Sequence, residues 1–317
     1  MNTYDICFAP DENYARCCAA AVVSISDNAK AGETFVFHIL HNAELSQKSL
    51  QMLQTLKSKK DNFSVKLHLV GDEEFRGFPD YGHQPVWYRF KIPQLIQAKK
   101  VLYLDCDVIA NASLADLFAE DLNGFALAAV KDNIYKKLGK KYKLPKNQPY
   151  FNSGVCLINC EYWRKNDLCG QFFDYIKQDP NRAWLLDQNI LNILFGAKTK
   201  IINLKYNFQY VPRFAFESCY FADLRQYKEA LKNPVIIHFF GEVKPWVAGL
   251  GALHPMQEKF ITYLQQTPWK MQPDELRDFR LKNRKGKFAA RLKLYFRAVK
   301  RNPQFLFKPY FWSRTLM

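Results

Sequence analysis

The sequence predicts an α/β protein, a mostly parallel central sheet with helices on both faces, followed by a basic helical C-terminal tail. Three observations carry that expectation. Strand-like segments alternate with segments of helical spacing through most of the chain, and such alternation buries a parallel sheet between two helical layers. Apolar residues make up 48% and charged residues 24% of the 317 residues, as in a globular chain. The net charge of +16 is confined: twelve of the 46 Lys and Arg, and none of the 30 Asp and Glu, lie in residues 279–317, which leaves +4 for the rest.

The elements follow in order. Residues 4–9 form a first strand, stopped by Pro10-Asp-Glu-Asn13, and 14–26 form a helix of small residues. Residues 34–40 are rich in β-formers and bounded by Gly32 and Asn42, which gives a second strand. Leu45, Leu50, Leu53 and Leu56 have helical spacing with Ser46 as a cap, and 63–70 alternates as a third strand. Residues 87–97 are read as a helix and 101–104 as a short buried strand running into Asp105-Cys106-Asp107. Further strands are expected at 125–130, 154–159, 201–204 and 235–239, with helices at 161–177 and 187–195. The expected organisation is a core domain over 1–250, a helical extension and linker over 251–278, and the basic tail over 279–317. Within it, 269–275 reads as linker.

Several function classes drop out early. The first strand is not followed by Gly-x-Gly-x-x-Gly, so a dinucleotide site of that type is not expected. The eight cysteines form no Cys-x-x-Cys pair; buried free thiols in a reducing compartment explain them better than zinc. The N-terminus lacks a basic region followed by an apolar core, so no signal peptide is expected. No apolar run reaches the ~18 residues that span a bilayer.

Four constellations carry chemistry. In extended chain, Asp105 and Asp107 point to one face at the end of a central strand, where open α/β sheets bind ligands. Two such carboxylates repel unless a cation lies between them, and hard oxygen ligands suit Mn²⁺ or Mg²⁺; a capping or turn role is the plain alternative. His238 ends a strand and is followed by Phe240, Gly241 and Lys244-Pro-Trp246. A strand-end histidine is more often simply packed, but imidazole beside two carboxylates makes a plausible Mn²⁺ set, and Lys244 suits phosphate. Phe151-Asn152-Ser153-Gly154-Val155 enters a strand with polar groups at its mouth. Asp187 and Gln188 open a helix, where Asp187 also suits the macrodipole. Arg89, on an otherwise apolar segment, is either a surface ion pair or a clamp on a phosphate or on Asp187.

In this order the motifs resemble glycosyltransferase family 8, the retaining enzymes of the GT-A fold, and within it the bacterial lipooligosaccharide galactosyltransferases. The likeness runs from about Ile6 to Trp246. It implies that Ala9, Asp11, Asn13 and Tyr14 hold uridine and ribose, and that Asp105, Asp107 and His238 hold the metal. It also implies donor contacts from Arg89, Asp105, Cys106, Asn152, Ser153, Gly154, Gly241 and Lys244, with Asp187 and Gln188 as catalytic residues. Asn189 stands where many relatives are acidic, Trp87 replaces the tyrosine two residues before the arginine, and Phe240 fills a place near the acceptor. Asp132, just past a strand end, is weighed evenly as an acceptor contact or an ordinary loop Asp.

The expected activity is transfer of galactose or glucose from a UDP-sugar to a lipooligosaccharide or lipopolysaccharide acceptor, with Mn²⁺ neutralising the leaving diphosphate. Gln188 is a weak nucleophile, which favours same-face attack with a β-phosphate oxygen taking the acceptor proton. A metal-dependent UDP-sugar hydrolase is the competing enzyme. A nucleic-acid binder would rest on +16 alone, without a recognised motif, so no nucleic-acid partner is expected. The tail accounts for the charge otherwise. At 100° per residue, Phe288, Leu292, Tyr295, Phe296 and Val299 share one third of the helical circle among Lys and Arg, with Phe305, Phe307, Tyr310, Phe311 and Trp312 beyond. That composition suits an anionic membrane surface, placing the enzyme in the cytoplasm on the inner face of the cytoplasmic membrane. Packing of the tail on its own domain is the alternative.

Overall fold

The computed structural model describes residues 2–76, 78, 84–132, 144–145, 148–179, 186–210, 224–241, 243–249 and 251–301. Its strands are β1 Asn2–Phe8, β2 Glu33–His41, β3 Phe63–Leu69, β4 Lys100–Leu104 and β5 Val108–Ala110. They continue with β6 Leu127–Lys131, β7 Phe151–Asn159, β8 Thr199–Ile202, β9 Phe208–Gln209 and β10 Ile236–His238. Seven of them form one sheet in the order β3-β2-β1-β4-β7-β6-β8. Four of its six pairings are parallel; β7 lies antiparallel between β4 and β6. This is the mostly parallel α/β sheet expected.

Both faces are covered, which is why Ile6, Cys7 and Phe8 can follow one another in β1 with all three buried. Ile6 and Phe8 meet α1 (Ala15–Asp27) and α2 (Gln47–Gln54), and Cys7 belongs to the core on the other face. The alanines and cysteines of α1 let it lie close to the sheet. Ser46 caps α2 by accepting the Ser49 N–H at 3.1 Å. The second face is filled by Trp87 and Phe90, by α3 (Cys160–Lys165) and α4 (Leu168–Gln178), and by α5 (Leu186–Phe195). Cys7, Cys17, Cys18, Cys106, Cys156, Cys160 and Cys169 are buried free thiols; Cys219 lies outside the described residues.

Three local expectations are corrected. The helix expected over 87–97 is a 3₁₀ segment, Gln84–Lys91, followed by a single α-turn, Ile92–Leu95, with Pro93 as its second residue. The helix expected over 161–177 is broken at Asn166 and Asp167. Asp167 adopts φ 46°, ψ 50° and accepts the Gly170 N–H at 3.1 Å, competing with helical continuation and starting α4 anew. The strand expected over 235–239 does not join the main sheet. As β10 it sits at the centre of a second, three-stranded sheet of order β5-β10-β9, antiparallel to β5 and parallel to β9.

After the sheets, α6 (Gln257–Leu264) packs on α1 and α7 (Pro273–Arg301) runs for 29 residues. In the stretch read as linker, Trp269 and Met271 pack on the core. The inner face of α7 places Leu276, Phe279, Asn283 and Ala290 against the body, whereas Phe288 and Phe296 are 64% and 60% exposed. Phe305, Phe307, Tyr310, Phe311 and Trp312 lie outside the described residues. No helix among the described residues is long and apolar enough to cross a membrane.

His254 is buried between Phe239 and Tyr210, and burial pulls its imidazole down to about 3. An exposed histidine in the unfolded chain protonates near 6.5. Between those values the unfolded state binds the extra proton, so the contribution is full above pH 6.5 and is lost as pH falls through the window. His68, also shifted down by burial, adds to the same limb. The His254→Leu variant is therefore expected to lose stability less steeply than the parent between pH 6.5 and 4, by up to ~1.4 kcal/mol per pH unit, in urea melts at a series of pH values.

Candidate active site

The C-terminal end of β4, the N-terminal end of β7, the end of β10 and the start of α5 meet at a pocket of about 550 Å³. The antiparallel setting of β7 brings its beginning beside the end of β4: Leu104 pairs with Val155, and the Asp105 N–H donates to the Gly154 carbonyl at 2.8 Å. The second sheet brings in the third element. His238 pairs with Val108, and the Phe239 N–H donates to the Asp107 carbonyl at 2.8 Å.

Asp105, Asp107 and His238 thereby offer ligand atoms that all lie within 4.8 Å of one another. His238 Nε2 is 3.2 Å from Asp107 Oδ1 and 4.0 Å from Asp105 Oδ2. The tautomer follows from a backbone donor three links away. The Gly154 N–H donates to Asn152 Oδ1 at 3.0 Å, which also accepts from Asn207 Nδ2 at 2.8 Å. Asn207 Oδ1 therefore faces His238 Nδ1, at 2.9 Å, and accepts its proton. With Nδ1 engaged in this way, Nε2 is the nitrogen directed toward the carboxylates, as in a metal-ligating histidine held by an outer partner. Two carboxylates and one imidazole fit a divalent ion of the Mn²⁺ or Mg²⁺ type. Burial alone would raise the Asp107 carboxyl, but His238 and Lys244 hold it well below the usual range. Lys244 Nζ donates to Asp107 and, at 2.9 Å, to the Phe239 carbonyl.

Arg89 is buried, not on the surface. Its guanidinium meets Asp105 Oδ1 at 3.0 Å and Asp187 Oδ2 at 2.9 Å, and it donates to the Ser153 carbonyl and the Tyr103 hydroxyl at 2.9 and 2.8 Å. Burial works against its charge, and Asp187, Tyr103 and Asp105 overcome that effect and raise its pKa. Burial also lifts the Asp187 carboxyl above its ordinary value, with Arg89 opposing. Of the two sequence readings for Arg89, the clamp on Asp187 is the one observed.

Gln188 sits in a network that orients its amide. Oε1 accepts from the Ser153 N–H and from Asn152 Nδ2, both at 3.1 Å. Nε2 donates to Asp132 Oδ2 at 3.1 Å and to the Tyr150 hydroxyl at 3.3 Å. A backbone donor at one end and a carboxylate at the other leave one orientation. The Tyr150 hydroxyl donates to Asn189 Oδ1.

Ala9, Asp11, Tyr14, Cys106, Phe240 and Gly241 also line the pocket. Asn13 is exposed in the turn before α1 and does not line it, and Gly154 lies behind the Asp105–Asp107–His238 cluster. Sequence reasoning missed Tyr103, Tyr150 and Asn207. Tyr103, two residues before Asp105 on the same strand face, was open to discovery by its alternation. Asn207 precedes the two-residue strand β9 and carried no comparable signal.

The sequence profile of Glycosyl transferase family 8 matches residues 5–248. The chain belongs to glycosyltransferase family 8. Its relatives in the family include a lipopolysaccharide 1,2-glucosyltransferase of Escherichia coli, 31% identical over 254 residues that cover 77% of this chain and 73% of that protein. General stress protein A of Bacillus subtilis is 25% identical over 82% of this chain and 92% of its own. The crystal structure of the galactosyltransferase LgtC, in complex with donor and acceptor sugar analogs, is 28% identical with a TM-score of 0.71. It covers 87% of this chain and 99% of that one, which shows that the chain has the GT-A fold expected of family 8. The bifunctional glycosyltransferase WbbM shares the fold at TM-score 0.70 and 23% identity, over 85% of this chain and half of that one.

Gly154 exposes the tightest constraint of the family 8 site. A Cβ there would overlap His238 Cε1 and lie 2.7 Å from Asp105 Oδ2, so the triad can close only over a glycine. Gly154→Ala is expected to weaken Mn²⁺ binding by about 10–100-fold, read by titration calorimetry, while far-UV circular dichroism stays that of the parent.

Proposed function

We propose that the protein is a retaining hexosyltransferase that moves galactose or glucose from a UDP-sugar to a saccharide acceptor of lipooligosaccharide or lipopolysaccharide. The observation that carries the reading is that three side chains able to hold a divalent ion and an oriented Gln188 face one pocket. The names of the Escherichia coli glucosyltransferase and of LgtC support the hexose and the acceptor class. Asp105, Asp107 and His238 would hold Mn²⁺, or Mg²⁺ in its place, which supplies positive charge against the leaving diphosphate.

The residues divide the remaining work. Lys244 exchanges its contact with Asp107 for the diphosphate, and Tyr14, edge-on to Trp246 at 5.7 Å, offers a face beside the uridine with Ala9 and Asp11. Arg89 fixes Asp187, which with Asn152 and Ser153 receives donor hydroxyls. The two acceptor sites of Gln188 Oε1 are taken by Ser153 and Asn152, so the amide supports positive character at the anomeric carbon without bonding to it. Asp187 is tied to Arg89 and Ser153, Asp132 is tied to Gln188, and residue 189 is the neutral Asn189. That environment favours same-face attack: the acceptor oxygen bonds to the anomeric carbon, the bond to UDP breaks, and the acceptor proton passes to a β-phosphate oxygen. Asp132 and Phe240 flank the acceptor side.

Asp107→Asn tests the assignment. It is expected to lower Mn²⁺-dependent UDP release by about 10²–10³-fold, with UDP-galactose or UDP-glucose and a lactose-terminated acceptor. A variant as active as the parent sinks the metal assignment, and free hexose as sole product establishes the hydrolase instead.

We further propose that residues 279–317, which begin within α7, attach this enzyme to an anionic membrane at the cytoplasmic face. Phe288 and Phe296 project outward among exposed Lys282, Lys285, Lys287, Lys293 and Lys300. The double substitution Phe288→Ser/Phe296→Ser is expected to reduce co-sedimentation with vesicles of anionic lipid by about 10-fold and to spare turnover on soluble acceptor. Truncation is a poorer probe, because the opposite face of the same helix carries buried Asn283 and Ala290.

A further inference from the structure

The C-terminal helix reaches the pocket without lining it. Asn283, buried on the inner face of α7, accepts the Gly249 N–H through Oδ1 at 2.7 Å. Its Nδ2 donates to Gln257 Oε1 at 3.3 Å, and Gln257 Nε2 donates to the Pro245 carbonyl at 2.8 Å. The polarity of this relay is set at both ends, because Gly249 presents only a donor and Pro245 only an acceptor. One turn further along α7, Gly286 touches the same loop: a Cβ on it would lie 3.0 Å from Gly249 Cα. Two amides and one backbone contact thus grip the loop at Pro245 and at Gly249. Lys244 is the residue immediately before the first grip, and its Nζ reaches Asp107.

We infer that Asn283 is a positioning residue for Lys244: through Gly249 and the Gln257–Pro245 link, the C-terminal helix holds the loop from which Lys244 reaches the diphosphate. This rests on the donor-binding reading under Proposed function. A lysine carries its charge on a long flexible stem, so the place of its backbone decides where the ammonium can dwell. A buried relay with every member paired has one low-energy arrangement, which is how a side chain outside the pocket can fix one inside it. Asn283 is no part of the triad, nor of any segment that lines the pocket.

The test is calorimetric binding of UDP with Mn²⁺ to the full chain and to Asn283→Leu, Lys244→Ala and the double variant, each checked for a cooperative melt. Asn283→Leu is expected to weaken UDP binding by about 10-fold and to add little once Lys244 is gone, since the two act through one interaction. Acceptor KM is expected to stay within about twofold, which separates positioning of the diphosphate from general loosening. Should Asn283→Leu fail to fold, Asn283→Asp and Gly286→Ala decide on the same terms. The aspartate keeps the bond to Gly249 but sets an acceptor against Gln257 Oε1. Folded variants that bind UDP as the parent does, or losses that add fully to that of Lys244→Ala, overturn the inference. A parent chain that does not bind UDP with Mn²⁺ overturns the donor reading and this inference with it.

Discussion

The active site depends on a buried cation. Arg89 stands between Asp105 at the end of β4 and Asp187 at the start of α5, its guanidinium over the Tyr103 ring at 4.0 Å from the centroid. An isolated charge at that depth would be untenable, and two carboxylates facing each other there would be as well. Each is tolerable only with the other. The five N–H groups of one planar group tie a strand end, a helix start and the Ser153 carbonyl of β7 into one geometry. A lysine carries the same charge but lacks the fork.

Around that centre the fold works by juxtaposing chain ends. The reversed direction of β7 sets Asn152, Ser153 and Gly154 beside Asp105, and the small second sheet sets His238 beside Asp107. Asn152 then serves two groups at once: its Nδ2 holds Gln188, and its Oδ1 accepts from Gly154 and Asn207, which orients His238. The groups proposed to hold the metal and the group proposed to meet the anomeric carbon are therefore aligned by a single asparagine. Asn192 closes the arrangement from α5 by bonding both the N–H and the carbonyl of Phe151, each at 2.8 Å.

Much of this was legible in the amino acids. Runs such as Ile6-Cys7-Phe8, apolar on consecutive residues, mark strands buried on both faces, and Ser46 marked the start of α2. Asp105, Asp107, His238, Lys244, Asn152, Asp187, Gln188 and Arg89 were each singled out and do line one pocket. What escaped depends on partners distant in sequence. β5 and β9 have three and two residues, too short for any periodicity, and exist because β10 pairs with them. The break at Asp167 is a competition between a side-chain cap and a continuous helix, which spacing of apolar residues does not register. Arg89 could be read from sequence as surface or clamp because its counter-charges lie sixteen and ninety-eight residues away.

The pairing of His238 with Val108 has a consequence for the order in which the molecule is made. During synthesis the parallel β1, β2 and β3 can pair once the first seventy or so residues have emerged, because their connections are short. Asp105 and Asp107 follow, but the histidine that completes their set comes from the last quarter of the chain. Until it emerges Asp105 has Arg89 as its earlier partner, whereas both partners of Asp107, His238 and Lys244, are still to come. A nascent chain of this protein therefore carries Asp105 beside Arg89 well before it carries the complete triad.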